Sequence, residues 1–189
     1  MSVIGRVAPF LVTAIAAVTF ATWSTTDKGS SVSLSGGNLT ATQTSTAGMV
    51  RATVGKSSGK WYWEIKPTST QNNVGVAKAT ASLSNYVGGD ANGWGLYSAD
   101  GKVYNNNAGG PPYTTYGNGD TLGFALDMDA GTLTLYKNGS LIGVIVTGLT
   151  GTIYPAWGNA GSADSCVANF GAAAFDYTPP SGYYPGLPA

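Results

Sequence analysis

At 189 residues with 43% hydrophobic side chains, the chain is long enough for one domain whose core closes without disulfide or metal staples. Nine basic and nine acidic residues, scattered and together only 10% of the chain, leave no basic patch and disfavour nucleic acid as a partner. A single cysteine excludes an intramolecular disulfide and thiol-zinc clusters, and the lack of histidine removes His-based triads, imidazole bases and most zinc catalysis.

Residues 1–17 form an apolar N-terminal arm. Arg6 precedes a run from Val7 to Val18, and Ala14-Ile15-Ala16 gives it the look of a secretory signal. Pro9 and Thr13 interrupt the run, which is short for a membrane span. The expectation is an uncleaved arm that docks on a larger assembly through Val7, Phe10, Leu11, Val12 and Ile15. The alternative is an edge strand of the domain's own sandwich.

Residues 18–178 read as the domain. Val18 to Ser24 is β-branched and aromatic and predicts a first strand. Ser30 to Thr42 has a hairpin pattern around Ser35-Gly36-Gly37, and Met49 to Val54 is another strand. In Lys60 to Lys66, alternation places Trp61, Trp63 and Ile65 on the core face and Tyr62, Glu64 and Lys66 on the other. Val74 to Ala77 is a short strand, and Thr80 to Asn92 is a loop. Trp94 to Tyr97 and Lys102 to Tyr104 predict a hairpin, with Trp94 and Tyr97 read as core. Asn105 to Asn118 is read as a long loop rich in Asn and Gly, a type of segment often used for function.

Gly117 to Gly148 predicts a three-strand meander. Leu122, Phe124 and Leu126 alternate with small or polar residues, Asp129-Ala130-Gly131 turns the chain, and Asn138-Gly139 is a strong type I′ hairpin signal. Gly151 to Trp157 and Ser165 to Phe170 are the last core strands. Cys166 reads as a small buried hydrophobe. Residues 179–189 read as an extended Pro- and Gly-rich tail. No stretch of useful length has helical periodicity. Many short strands with closely spaced turn signals predict an all-β antiparallel sandwich.

The order of these segments carries a resemblance. Gly59-Lys60-Trp61-Tyr62-Trp63-Glu64-Ile65, Asn73-Val74-Gly75-Val76-Ala77 and Gly93-Trp94-Gly95-Leu96-Tyr97 come first. Leu122-Gly123-Phe124-Ala125-Leu126-Asp127, Tyr154-Pro155-Ala156 and Asn169-Phe170-Gly171 follow. The series resembles the SPRY (B30.2-like) domain family, from about Trp23 to Tyr184. Its ends, with Trp23-Ser24 and Asp27-Lys28-Gly29 at one and Pro179-Pro180-Ser181-Gly182-Tyr183 at the other, look like SPRY modules of bacteriophage virion proteins. The resemblance implies a concanavalin-like jelly-roll sandwich whose loops bind, usually, protein.

No catalytic, cofactor or metal site is expected. Asp127 and Asp129 have a spacing that suits calcium, but turn geometry accounts for both. The Gly-x-Gly at Gly93 to Gly95 precedes no helix and is no phosphate loop. Tyrosines and amides in loops are the better signal, since Tyr gives large contact area and Asn adaptable hydrogen bonds. The predicted ligand contacts are Tyr86, Asn92, Asn105, Asn106, Asn107, Tyr113, Tyr116 and Asn159. The functional expectation is a non-enzymatic virion protein in a tail fibre, tail tip or baseplate. The arm would meet other virion proteins, and the loops a host surface polysaccharide or protein. The alternatives are a capsid decoration or cement protein, and a secreted lectin-like module.

Overall fold

The computed structural model describes residues 17–44, 46–69 and 71–189, and these build two antiparallel sheets packed face to face. Sheet I runs in the order β1 (Trp23–Lys28), β4 (Gly48–Ala52), β13 (Tyr154–Asn159), β6 (Asn73–Ala77), β7 (Gly93–Tyr97), β8 (Lys102–Asn105) and β9 (Ala108–Pro112). Sheet II runs β12 (Ser140–Val146), β11 (Thr132–Lys137), β10 (Leu122–Asp127), β5 (Lys60–Pro67), β14 (Asp164–Asn169), β3 (Thr40–Gln43) and β2 (Val32–Ser35). A short β15 (Tyr184–Pro185) pairs in parallel with the start of β5. No helix occurs among the described residues. The expected antiparallel sandwich is the fold, and the meander of β10, β11 and β12 has the expected strands and turns.

The core lies between the sheets. Trp63, Phe124, Leu126, Leu133, Leu135 and Phe170 are fully buried, as the period of two predicts. Trp63 stacks on Phe124 with ring centroids 5.7 Å apart, and Trp23 meets Phe170 edge-on at 5.0 Å. Burying each such side chain contributes about 1.5–3 kcal/mol. Trp61, expected in the same core, is only partly buried at the rim. There its indole N–H donates to the Ser58 carbonyl, and the Lys56 ammonium sits 4.1 Å above the ring. Cys166 is buried, which pushes its thiol pKa up and keeps it a plain core side chain.

Strand alternation leaves out what covers the outer faces. Tyr62 and Glu64 were assigned to the solvent side of β5, yet both are buried. The segment after β14 lies over them: Glu64 accepts hydrogen bonds from the Asp176 and Tyr177 amides and from the Tyr62 hydroxyl, and Phe175 packs edge-on against Tyr62. The expected loose tail is stitched into the domain. Gly186 N–H donates to Tyr62, Leu187 N–H to Phe170, and Ala189 N–H to Thr19, while Leu187 is buried.

On sheet I the cover is the loop from 78 to 92. Its Ala81 and Val87 pack on Met49, Ala77 and Ala156 beneath it. A Cβ at Gly95 would stand 2.0 Å from the Val87 carbonyl oxygen, so only glycine lets the loop sit this low. Arg51, buried on the same face, is held bidentately by Asp27 at 2.7 Å and donates to the Ala81 carbonyl at 2.9 Å.

Two expectations change at the boundaries. The first strand starts at Trp23 rather than Val18, which is 58% exposed. The loop expected from Asn105 to Asn118 contains a hairpin, β8 to β9, turned at Asn106 and Asn107 with φ of 52° and 61°. Asparagine tolerates that left-handed conformation, so two in succession form the turn. The arm contacts expected at Val7, Phe10, Leu11, Val12 and Ile15 lie outside the described residues.

Candidate functional site

The cover loop leaves one end of sheet I open. There the outward residues of the central strands, Asn73 on β6, Tyr97 on β7 and Tyr104 on β8, floor a groove of about 260 Å³. Gln71, Tyr86 from the cover loop, and Ala160 and Ser162 from the turn after β13 complete the lining. Among the described residues no charged side chain lines it.

The three tyrosines come from three separate segments, and two are fixed from behind. The Tyr104 hydroxyl donates to Asp100 at 2.8 Å, and the Tyr86 hydroxyl donates to Asn107 at 2.7 Å. The Tyr97 and Tyr104 rings stand at 81° with centroids 6.2 Å apart, forming a corner. The hydrogen bond to Asp100 raises the Tyr104 pKa, and burial raises that of Tyr86, so both stay neutral phenols. An aromatic corner with neutral polar partners can bind and orient a ligand.

Directly behind the groove runs a seam of buried polar groups. Asn72 is wholly buried. Its amide nitrogen donates to Ser69 O at 3.2 Å and to Asp164 at 3.0 Å, and its side-chain oxygen accepts from the Trp157 indole. Asp164 also accepts from the Gln71 and Ser165 amides. Burial pushes the Asp164 pKa up against these donors. Asn159 accepts from Gln43, Gly161 and Ser162 and thereby shapes the turn that forms one wall. Each seam member named here has its hydrogen-bonding groups paired, which fixes the groove's walls.

Measured against this geometry, the predicted ligand contacts divide. Tyr86 lines the groove. Asn107 supports it from behind, and Asn106 shares the hairpin turn. Tyr113 is exposed but stands apart from the groove. Two residues are corrected outright. Tyr116 is 6% exposed, with its hydroxyl donating to the Asn72 and Leu96 carbonyls at 2.8 Å, and Asn159 is a buried seam member. Asn105 is structural, donating to the Gly93 carbonyl at 2.7 Å, and Asn92 tethers the cover loop through its amide and the Asp90 carboxylate.

Sequence reasoning placed Tyr97 in the core. Its register puts it outward beside Asn73, while Leu96 takes the inward place. Gln71, Asn73 and Ser162 carried no aromatic signal and were missed. Asp127 and Asp129 do shape their turn, accepting from the Asp129, Ala130 and Gly59 amides. No group of three or more potential metal ligands converges among the described residues, and no helix there is long and apolar enough to cross a membrane.

The family model for the SPRY domain matches residues 60–173. Ran-binding protein 9 of Xenopus tropicalis is 30% identical over 166 residues, covering 81% of this chain and 30% of that protein. Human Ran-binding protein 9 is 28% identical over 162 residues, covering 79% and 22%. The chain thus spans under a third of the length of these relatives. Among solved structures, the SPRY domain of human HERC1 superposes with a TM-score of 0.66 at 20% identity, covering 72% of this chain and 91% of that one. The TRIM65 PSpry domain gives 0.67 at 16% identity, covering 80% and 92%.

Proposed function

The chain belongs to the SPRY domain family, and from that premise we propose that it is a non-catalytic recognition module whose ligand surface is the tyrosine groove of sheet I. The observation that carries this reading is the groove's construction. Three half-buried tyrosines from three segments meet neutral amides over a seam whose own polar groups are paired. Tyr supplies contact area at low entropy cost, and a rigid support keeps that cost low on binding.

The proposed setting is a bacteriophage virion, in a tail fibre, tail tip or baseplate. Residues 1–17 anchor the module on other virion proteins, and the groove meets a host surface molecule. Support for the setting comes from the phage-like sequence at both ends of the domain and from the apolar character of the arm. The relatives named above are animal proteins, so the setting rests on those features of this chain alone.

One observation favours a second reading, a decoration or cement role. Leu141 and Val144, on the sheet-edge strand β12, are 64% and 46% exposed on the outer face of sheet II. Particles carrying Tyr86→Ser with Tyr97→Ser separate the two. The recognition reading expects full occupancy of the module on the particle and lost adsorption to host cells. Normal adsorption would overturn it, and lost occupancy on particles carrying Leu141→Asp with Val144→Asp would favour the cement role.

A further inference from the structure

Asn73 departs from the pattern of its neighbours. It is 3% exposed, and its backbone is paired on both sides, with Tyr97 and with Gly158. Yet its side-chain amide makes no hydrogen bond to any described residue, although it lines the groove. The adjacent Asn72 and the nearby Asn159 and Gln43 all have bonded amides. A buried amide left without a protein partner is costly unless something that enters its cavity pairs with it. Groove water can do so in the free protein, and a ligand that replaces that water must offer the same bonds.

The demand is specific. A carboxamide presents an acceptor oxygen and a donor nitrogen side by side. Two neighbouring hydroxyls on one ring match it: one O–H donates to Oδ1, and the next oxygen accepts from Nδ2–H. The rest of the lining suits the same molecule. Tyr97 and Tyr104 form a corner on which the C–H face of a sugar ring can lie, and Gln71 and Ser162 add neutral polar groups at the rim. No Lys or Arg among the described lining residues offers an acidic sugar a partner.

A peptide fits less well. Both β6 and β7 are interior strands with their backbone edges already used, so none is open for strand addition. Ala160 is the sole aliphatic side chain among the described lining residues, so a hydrophobic anchor finds no dry pocket there.

Resting on the groove reading above, we infer that this site takes one neutral hexopyranose unit of a surface polysaccharide. Asn73 bonds a pair of vicinal hydroxyls, and Tyr97 and Tyr104 pack against the ring's C–H face. Asn73 is thereby the specificity-determining residue of the groove.

The test uses the full chain and saturation-transfer NMR with titration. The probes are methyl α-mannoside, methyl β-galactoside and methyl β-glucoside, with N-acetylneuraminic acid as the acidic sugar and acetyl-Gly-Asn-Gly-amide as the peptide. Saturable binding of at least one hexoside is expected, and none of the acidic sugar. Asn73→Leu is expected to weaken it at least tenfold with the melting temperature kept or raised. Tyr97→Ser, on a more exposed ring, is expected to weaken it as well. The inference is overturned if none of the three hexosides binds, or if Asn73→Leu and Tyr97→Ser both bind as wild type does. Peptide binding that Tyr97→Ser abolishes, with no hexoside binding, keeps the groove and rejects the sugar. Tyr86→Ser with Tyr97→Ser leaving host adsorption unchanged rejects the groove itself.

Discussion

Asn72 and Asn73 are neighbours in the chain with opposite roles, and they stand for the two regions they belong to. Asn72 sits in the seam, where its amide bonds Ser69, Asp164 and Trp157. Asn73 sits one residue on, at the floor of the groove, with its amide unspent on any described residue. Asn72 immediately precedes β6 and Asn73 opens it, and successive side chains of an extended chain leave on opposite faces. The seam shows what a polar group does when the fold needs it, and the groove shows one that the fold does not use. Recognition sites are built this way round, with a rigid support beneath groups that keep bonding capacity free.

Breaking the seam should cost the most. Asp164→Leu orphans the Gln71 and Ser165 amides and the Asn72 side chain. A loss of about 3 kcal/mol is expected, from buried donors left unpaired, and a urea titration measures it. An unchanged midpoint would mean that the seam is not a structural unit. The two tyrosines of the 105–118 segment sharpen the contrast. Tyr116→Phe removes two bonds at 2.8 Å and should cost about 1–2 kcal/mol. Tyr113→Ala, on an exposed ring, should stay within about 0.5 kcal/mol.

The smallest effect is in acid. Burial raises the Asp164 pKa, so the folded protein takes this proton more readily than the unfolded chain. Its contribution to stability therefore increases as pH falls through the carboxylate range. Asp127 and Asp176 behave oppositely. Hydrogen bonds from Lys60 and Lys66 lead the causes that hold their pKa values down, and the stability they supply is lost as pH falls through those lowered values. Asp164→Asn removes the one opposing contribution among these three. Its stability should fall more steeply between neutral pH and pH 3 than that of wild type, as thermal melts at stepped pH would show. A shallower fall would mean that Asp164 is not held against its charge.

The core was legible from sequence because a period of two depends only on one face meeting the other sheet. Trp63, Phe124, Leu126 and Leu135 needed nothing more. Tyr62, Glu64 and Arg51 were not legible as buried, because their cover comes from segments distant in the chain. The groove suffered from the same blindness. Tyr97 follows the core residue Leu96 in an aromatic strand, and nothing local tells inward from outward there. Tyr86 was found through its loop, and Asn73 was missed because it opens a strand, outside the loops where contacts were expected. Tyr116 misled because a tyrosine amid glycines and asparagines looks solvent-facing, whereas its hydroxyl seals two carbonyls in the seam.

The account's central claim is that the seam serves the fold and the groove serves a ligand. Paired melting curves of Asn72→Leu and Asn73→Leu test it most directly. Asn72→Leu should lower the melting temperature by about 6–12 °C, the shift that a loss of about 3 kcal/mol produces in a domain of this size. Asn73→Leu should leave it unchanged or raise it, since an amide without a protein partner gives way to an apolar side chain of similar size. Equal and large losses in both variants would contradict the account and make Asn73 another structural asparagine.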